Sequence, residues 1–302
     1  MSKKTWIEVA LNGAWTRRLQ PNIPVTAQEI INEGVACIKA GAGVVHTHTL
    51  DPDTGKQNNN LDNCIAFSEG IRSQVDAIVY PSALPLPLPA DDWGARYATT
   101  VELAKRGLAE WGFLDPGSCN FYLSDASAPP LFGSDGGVYS NPNGALELGM
   151  ELAAKHKFHP AYACYEPGFV RQGATLHRKQ PTAPVPVYRL MFSSAFTFSF
   201  PPEPWALEAY VKLVESVAPG SPWMAAGLAV DVLPLIPTIV ALGGHVRVGL
   251  EDAPFQSSRR NIELVDAAVK AIQKARSEPA TAVEIRAALA AYKMPAASAV
   301  RA

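Results

Sequence analysis

The sequence predicts a (β/α)8 barrel, formed as a single domain over residues 1–302, on three observations. Apolar runs of strand length alternate with helix-period segments from end to end, the signature of a parallel sheet built from βα units. The alternation supplies eight strand candidates, and eight units in a chain of this length match such a barrel. No glycine-rich phosphate loop follows the first strand: VALNGAWTRR offers one glycine and GAGVVH lies at a helix end, which argues against a doubly wound open sheet.

The first strand is WIEVALNG (6–13), and its helix covers 26–41, opened by Thr26 with Glu29 three residues later as a capping box. GVVHTHT (43–49) and AIVYPSA (77–83) follow, with helical patterns at 60–75 and 94–107. Between them, YPSALPLPLPADDW (80–93) reads as an ordered loop, being short and apolar. WGFLDPG (111–117) precedes a helix at 143–157, and PAYACYE (160–166) precedes a less regular one near 167–178. VPVYRLMFS (185–193), WMAAGLA (223–229) and HVRVGLE (245–251) complete the set, with helices at 204–217, 232–242 and 259–276. A further capped helix, TAVEIRAALAAY from Thr281, follows the eighth unit. The longer loops follow strands, on the side where such barrels carry their active sites.

Composition narrows the function. Hydrophobic residues make up 48% and charged residues 18%, so the chain buries a core, and a formal charge of −2 with scattered Lys and Arg excludes the footprint of a nucleic-acid binder. The start MSKKTWIEVALNGAW lacks the uninterrupted apolar region of a signal peptide, and no stretch is long enough to cross a bilayer, so cytoplasm and small-molecule partners are expected. Cys37, Cys64, Cys119 and Cys164 form no CxxC pair and read as reduced, mostly buried thiols.

The chemistry concentrates in GVVHTHTLDPDTG and GGHVRVGLEDAPF. Side chains alternate faces along a strand, so His46 and His48 project the same way at the carboxyl end of the second strand. Two imidazoles from one strand suit a metal ion, and a third ligand from elsewhere leaves a position open for substrate. In the last strand Arg247, Gly249 and Glu251 share a face: Glu251 could complete a two-histidine, one-glutamate site, and Arg247 could bind a substrate carboxylate through its planar fork. Equally, Arg247 and Glu251 could simply pair inside the barrel.

The segments ALNGAWTRRLQPNIPVTAQEI, AGAGVVHTHTLDPDTG and GGHVRVGLEDAPF, in this order and at these separations, resemble the β-keto acid cleavage enzymes over most of the chain. The resemblance implies a Zn2+-dependent barrel, assembled as a homotetramer, that takes a β-keto acid and acetyl-CoA and yields acetoacetate and a new acyl-CoA. It implies His46, His48 and Glu251 as zinc ligands, Ser82 as a substrate-contacting serine, Arg247 as the arginine of the last strand's motif and Asp252 as the acid that transfers the proton. In GSCNF and just before it, Asp115, Ser118 and Asn120 match its substrate-site turn.

The chain also departs from its relatives. Members that cleave 3-keto-5-aminohexanoate end the first strand with an acid that holds the substrate's amino group, whereas the aligned position here is Trp15. An indole favours an apolar, aromatic or quaternary ammonium tail; it could instead turn away and pack under a loop. AYACYEPG in strand five and Val230 after strand seven also remove charge, and FTFSFPPEPW (196–205) is rich in aromatics, suiting either a less polar acyl pocket or a subunit interface. The competing enzyme reading is a metal-dependent hydrolase of the amidohydrolase type, weakened because such sites recruit further histidines from later strands, whereas here His156 and His177 fall in helical or loop segments, His159 just before strand five and His245 at a strand base. A catalytically silent metabolite-binding barrel is the third reading, against which the intact Arg247, Glu251 and Asp252 argue.

Overall fold

The computed structural model describes residues 4–83, 92–124 and 137–293. Twelve strands and nine α-helices are assigned among them. In chain order the strands are β1 (Ile7–Ala10), β2 (Val44–Thr47), β3 (Thr49–Leu50), β4 (Gln57–Asn58), β5 (Ile78–Pro81), β6 (Trp111–Phe113), β7 (Cys119–Phe121), β8 (Gly137–Tyr139), β9 (His159–Cys164), β10 (Val187–Phe192), β11 (Trp223–Gly227) and β12 (His245–Val248). Eight of these form one parallel sheet in the order β5-β2-β1-β12-β11-β10-β9-β6. The two end strands, β5 and β6, lie against each other, so the sheet is a nearly closed barrel. The expected fold class is therefore the observed one, and each expected strand contains its barrel strand, give or take a residue.

Helices wrap the outside: α1 (Ala27–Ala40), α2 (Leu61–Arg72), α3 (Trp93–Lys105), α4 (Asn143–His156), α5 (Pro167–Lys179), α6 (Pro204–Val217), α7 (Ile236–Ala241) and α8 (Asn261–Lys274). Their starts are specified locally. Thr26 and Glu29 close the expected capping box on α1, and Pro167 and Pro204 occupy the first turns of α5 and α6, where a missing N–H costs nothing. One expectation fails in detail. Residues 232–242 form a short 3₁₀ turn, Leu233–Leu235, and then the six-residue α7, because Pro234 and Pro237 remove the donors a continuous helix would need. The run 80–93 lies largely outside the described residues.

Two small hairpins were not expected. The β3–β4 hairpin follows His48 directly, and β7–β8 stands over the barrel mouth. A ninth helix, α9 (Ala282–Ala291), carries a capping box at Thr281 and Glu284. Its Ile285 and Leu289 pack with Trp6, Val44, Ile78 and Met224, so an apolar plug closes the end of the barrel opposite the strand C-termini. The outward faces of the strands, such as Ile7, Val9, Val45 and Val79, bury against the helices. This leaves the carboxyl ends of the strands as the polar, open end. Cys37, Cys64 and Cys164 are buried, Cys119 is half-buried, and all four are free thiols.

Candidate metal centre and active site

At the carboxyl end of the barrel, β2 and β12 flank β1, with Ala10 beside His46 and Val9 beside Val248. That adjacency brings two distant segments together. Gly249 adopts φ +139° at the end of β12, and a Cβ there would collide with the Ala10 carbonyl, so only glycine lets the strand close against β1 at this point. Beyond it, the backbone N–H of Glu251 donates to the same Ala10 carbonyl at 3.2 Å, aiming its side chain across the mouth.

Glu251 Oε2 lies 3.5 Å from Nε2 of His46 and 3.5 Å from Nε2 of His48. All three side chains are buried, and Glu251 Oε2 has no hydrogen-bond partner. Two ligands each about 2.1 Å from a tetrahedral ion sit about 3.4 Å apart, so these separations are those of ligands sharing one cation. The orphaned buried oxygen and the donor set of two imidazoles and one carboxylate fit a divalent metal, and the three form the one such cluster among the described residues. Burial alone would raise the Glu251 carboxyl, but the Arg247 guanidinium and the two histidines outweigh it and hold it well below the usual carboxylate range. Burial depresses the His46 imidazole in turn, which keeps it neutral and fit to ligate.

The other Glu251 oxygen is taken. Arg247 Nη2 donates to Oε1 at 2.6 Å, and its Nε and Nη2 also donate to the Asp252 carboxylate at 2.6–3.2 Å. Burial pushes the Asp252 carboxyl up to about 6 against the pull of Arg247. Asp252 is not part of the main cavity wall; it lines a neighbouring cavity with Val230, Val248 and Gly249, while its carboxylate is bonded to Arg247. Below them a polar layer crosses the barrel. Arg247 faces Glu8 Oε1 at 3.5 Å, Tyr80 donates to that oxygen at 2.7 Å, and Arg189 reaches Tyr80 at 3.0 Å and Asp115 at 3.5 Å. Glu8 and Arg189 escaped the sequence reading. The available signal was a charge in the middle of the all-buried strands IEVA and VYRLMF.

A cavity of about 420 Å³ opens from this centre, walled by Trp15, His46, His48, Ser82, Tyr165 and Arg247 among others. Trp15 combines both expectations for it: the ring forms part of the wall, while its Nε1 donates to the Glu251 carbonyl at 2.8 Å and its edge packs on Phe255. Gly13, at φ +63°, makes the turn and leaves room for this indole beside Glu251. Opposite, Phe121 stacks on Tyr139 with centroids 5.0 Å apart, and Tyr165 packs edge-on against both. From the run 196–205, Phe196 and Phe198 are buried beneath Phe121, whereas Trp205 is exposed. Arg96 also reaches the wall, with its guanidinium over the Phe113 ring at 5.1 Å and its Nε and Nη1 unpaired.

The remaining sequence candidates separate. Ser82 lines the cavity, positioned by its N–H on the Thr47 carbonyl at 2.9 Å. Asp115 lines it too, but its oxygens accept from Tyr139 at 2.7 Å and from the Ala163 N–H at 2.8 Å. Ser118 and Asn120 are exposed outside the wall, and Ser118 Oγ instead accepts from the Asn141 N–H at 2.7 Å. Val230 is half-buried beside Asp252 rather than in the wall. The four other histidines stay away from the centre: His159 and His177 lie near backbone carbonyls, His245 stacks on Trp6, and His156 ends α4.

The sequence profile of the β-keto acid cleavage enzymes matches residues 4–290. The chain belongs to this family. Among its curated relatives, the 3-keto-5-aminohexanoate cleavage enzyme of Fusobacterium nucleatum subsp. nucleatum is 27% identical over 97% of this chain and 100% of its own length. The 3-dehydrocarnitine:acetyl-CoA trimethylamine transferase of Rhizobium meliloti is 25% identical over 90% of this chain and 92% of its own. Among solved structures, the complex of ObcA with oxaloacetate superposes with a TM-score of 0.72 at 18% identity, covering 89% of this chain and 67% of that one, which shows the shared barrel. Within the β-keto acid cleavage family the hydrolase reading has no support left, since no further histidine joins the centre among the described residues. Among the described residues no helix is long and apolar enough to cross a membrane.

Proposed function

We propose that the chain converts a β-keto acid and acetyl-CoA into acetoacetate and a new acyl-CoA, at a Zn2+ ion held by His46, His48 and Glu251. The observation that carries this reading is the unpaired Glu251 Oε2 set 3.5 Å from both Nε2 atoms at the head of the cavity. Zinc, when bound, supplies Lewis-acid stabilisation of the negative charge that develops on the keto oxygen.

The chain's own residues do the rest. Arg247 offers its fork to the substrate carboxylate, and the Ser82 hydroxyl hydrogen-bonds the substrate from the end of β5. Asp252 takes the proton from the carbon between the two carbonyls, and it does so once Arg247 has exchanged its Asp252 bonds for the substrate's carboxylate. The new carbanion attacks the acetyl carbonyl and expels CoA thiolate; the thiolate then attacks the substrate's own keto carbon, and the carbon–carbon bond breaks to release acetoacetate. R–CO–CH2–COO− and CH3–CO–SCoA thus become R–CO–SCoA and CH3–CO–CH2–COO−, with the proton returned by Asp252. Trp15, Phe121, Tyr139 and Tyr165 supply an aromatic wall suited to an apolar or aromatic R group rather than to a primary ammonium.

A homotetramer in the cytoplasm is the proposed state; exposed Tyr122, Val138 and Trp205 support an interface, and four free thiols support a reducing compartment. Incubation of the protein with acetyl-CoA and a panel of β-keto acids tests the activity. Acetoacetate and acyl-CoA should form in equal amounts. Loss of the keto acid without acetyl-CoA would refute the reading and return the hydrolase.

A further inference from the structure

We infer that Gln57 is a positioning residue that fixes His48 as a metal ligand, by holding the proton on His48 Nδ1 and leaving the Nε2 lone pair for the ion. The inference rests on the metal centre proposed above.

Gln57 Oε1 lies 3.0 Å from His48 Nδ1, and Gln57 Nε2 donates to the Ala83 carbonyl at 2.8 Å. A carbonyl can only accept, so the amide nitrogen must face Ala83 and the amide oxygen must face the imidazole. That oxygen can in turn only accept, so Nδ1 must carry the hydrogen. The neutral ring then has one lone pair left, on Nε2, the atom turned toward Glu251. Outer partners of this kind fix ring orientation and raise ligand basicity. His46 has no such partner: its Nδ1 is buried and unpaired, and only packing, including the Tyr80 ring at 4.6 Å, sets its orientation. One ligand is therefore locked chemically and the other sterically.

The hairpin exists to deliver this contact. Gln57 on β4 faces Leu50 on β3, which begins one residue past His48, so the hairpin folds Gln57 back beside the imidazole. The register is set by the DPDTG turn. Asp51 Oδ1 accepts from the N–H groups of Asp53 and Thr54 and from the Thr54 hydroxyl at 2.7–3.1 Å, and Gly55 closes the turn at φ +68° with its N–H on the Asp51 carbonyl. Because Ala83 follows Ser82, the same amide also ties the metal ligand to the segment bearing the substrate-facing serine.

Metal-free wild type, Gln57→Leu and Gln57→Glu, titrated with zinc against a chromophoric chelator, test the inference. Gln57→Leu should weaken zinc ten- to hundredfold, whereas Gln57→Glu, which keeps an acceptor for Nδ1–H, should stay within about threefold of wild type. Cobalt substitution gives a second readout: the visible band should shift in Gln57→Leu and keep its wild-type position in Gln57→Glu. Wild-type affinity in Gln57→Leu overturns the inference. So does a Gln57→Glu as weak as Gln57→Leu, which would make Gln57 a support for the Ala83 segment alone. A wild type that binds neither metal overturns the metal centre itself, a different failure.

Discussion

Arg247 Nη2 donates to Glu251 Oε1 at 2.6 Å, so the oxygen turned away from the histidines is gripped by a guanidinium that also serves Asp252 and Glu8. One cation thus answers three buried carboxylates. Arg247→Met should destabilise the fold by about 3–5 kcal/mol, because removing one partner of a buried network leaves its acids uncompensated. Urea unfolding checks this; a loss under about 1 kcal/mol would show that Arg247 is dispensable to the network.

Glu251→Gln should weaken metal binding sharply, since the amide keeps the shape but offers a neutral, poorer ligand. Elemental analysis after dialysis should find wild type loaded and the variant depleted. Zinc added back to chelator-treated wild type should raise its unfolding temperature, with about 2.7 kcal/mol gained at a hundredfold excess over Kd. Equal metal content in both proteins would remove Glu251 from the ligand set.

Trp15→Glu places a carboxylate in the cavity wall and frees the Glu251 carbonyl that the indole N–H now serves. The ratio of kcat/KM values should move toward β-keto acids bearing a primary amine, at a stability cost of about 2–4 kcal/mol for the lost aromatic packing. An unchanged ratio would take Trp15 out of substrate selection.

Glu29 gives a pH dependence away from the site. The N–H groups of Thr26 and Val25, with Arg17, outweigh burial and hold its carboxyl down at about 2. A depressed folded-state value contributes stability above the unfolded value near 4.5, and that contribution fades as pH falls toward 2. The side chain is 43% exposed, so solvent screening limits the effect to about 1 kcal/mol. Wild type should exceed Glu29→Gln by that amount at neutral pH and match it in strong acid; a gap that persists below pH 2 would contradict this.

What the sequence revealed follows a physical divide. Strands buried on both faces announce themselves as apolar runs, and HTH with GLED showed because alternation gives each a direction. Contacts created by barrel closure stayed hidden: Glu8, Tyr80 and Arg189 sit on separate strands, Asp115 just past the end of another, and they meet only when the sheet curls. Gln57 was hidden for another reason, because its role depends on a turn register that shifts every side chain if it slips by one residue. The tie between Asp252 and Arg247 was hidden as well, because it depends on how the chain turns after β12 rather than on strand alternation.

The bare Cα of Gly249 against the Ala10 carbonyl has a consequence for descent. No lineage arising from this chain can diversify its substrates by mutating that corner, since any side chain there would part β12 from β1 and scatter the histidine and glutamate ligands. New specificities must instead arise across the mouth, at Trp15 and in the aromatic hairpin around Phe121 and Tyr139, where the wall can vary while the reaction centre stays still.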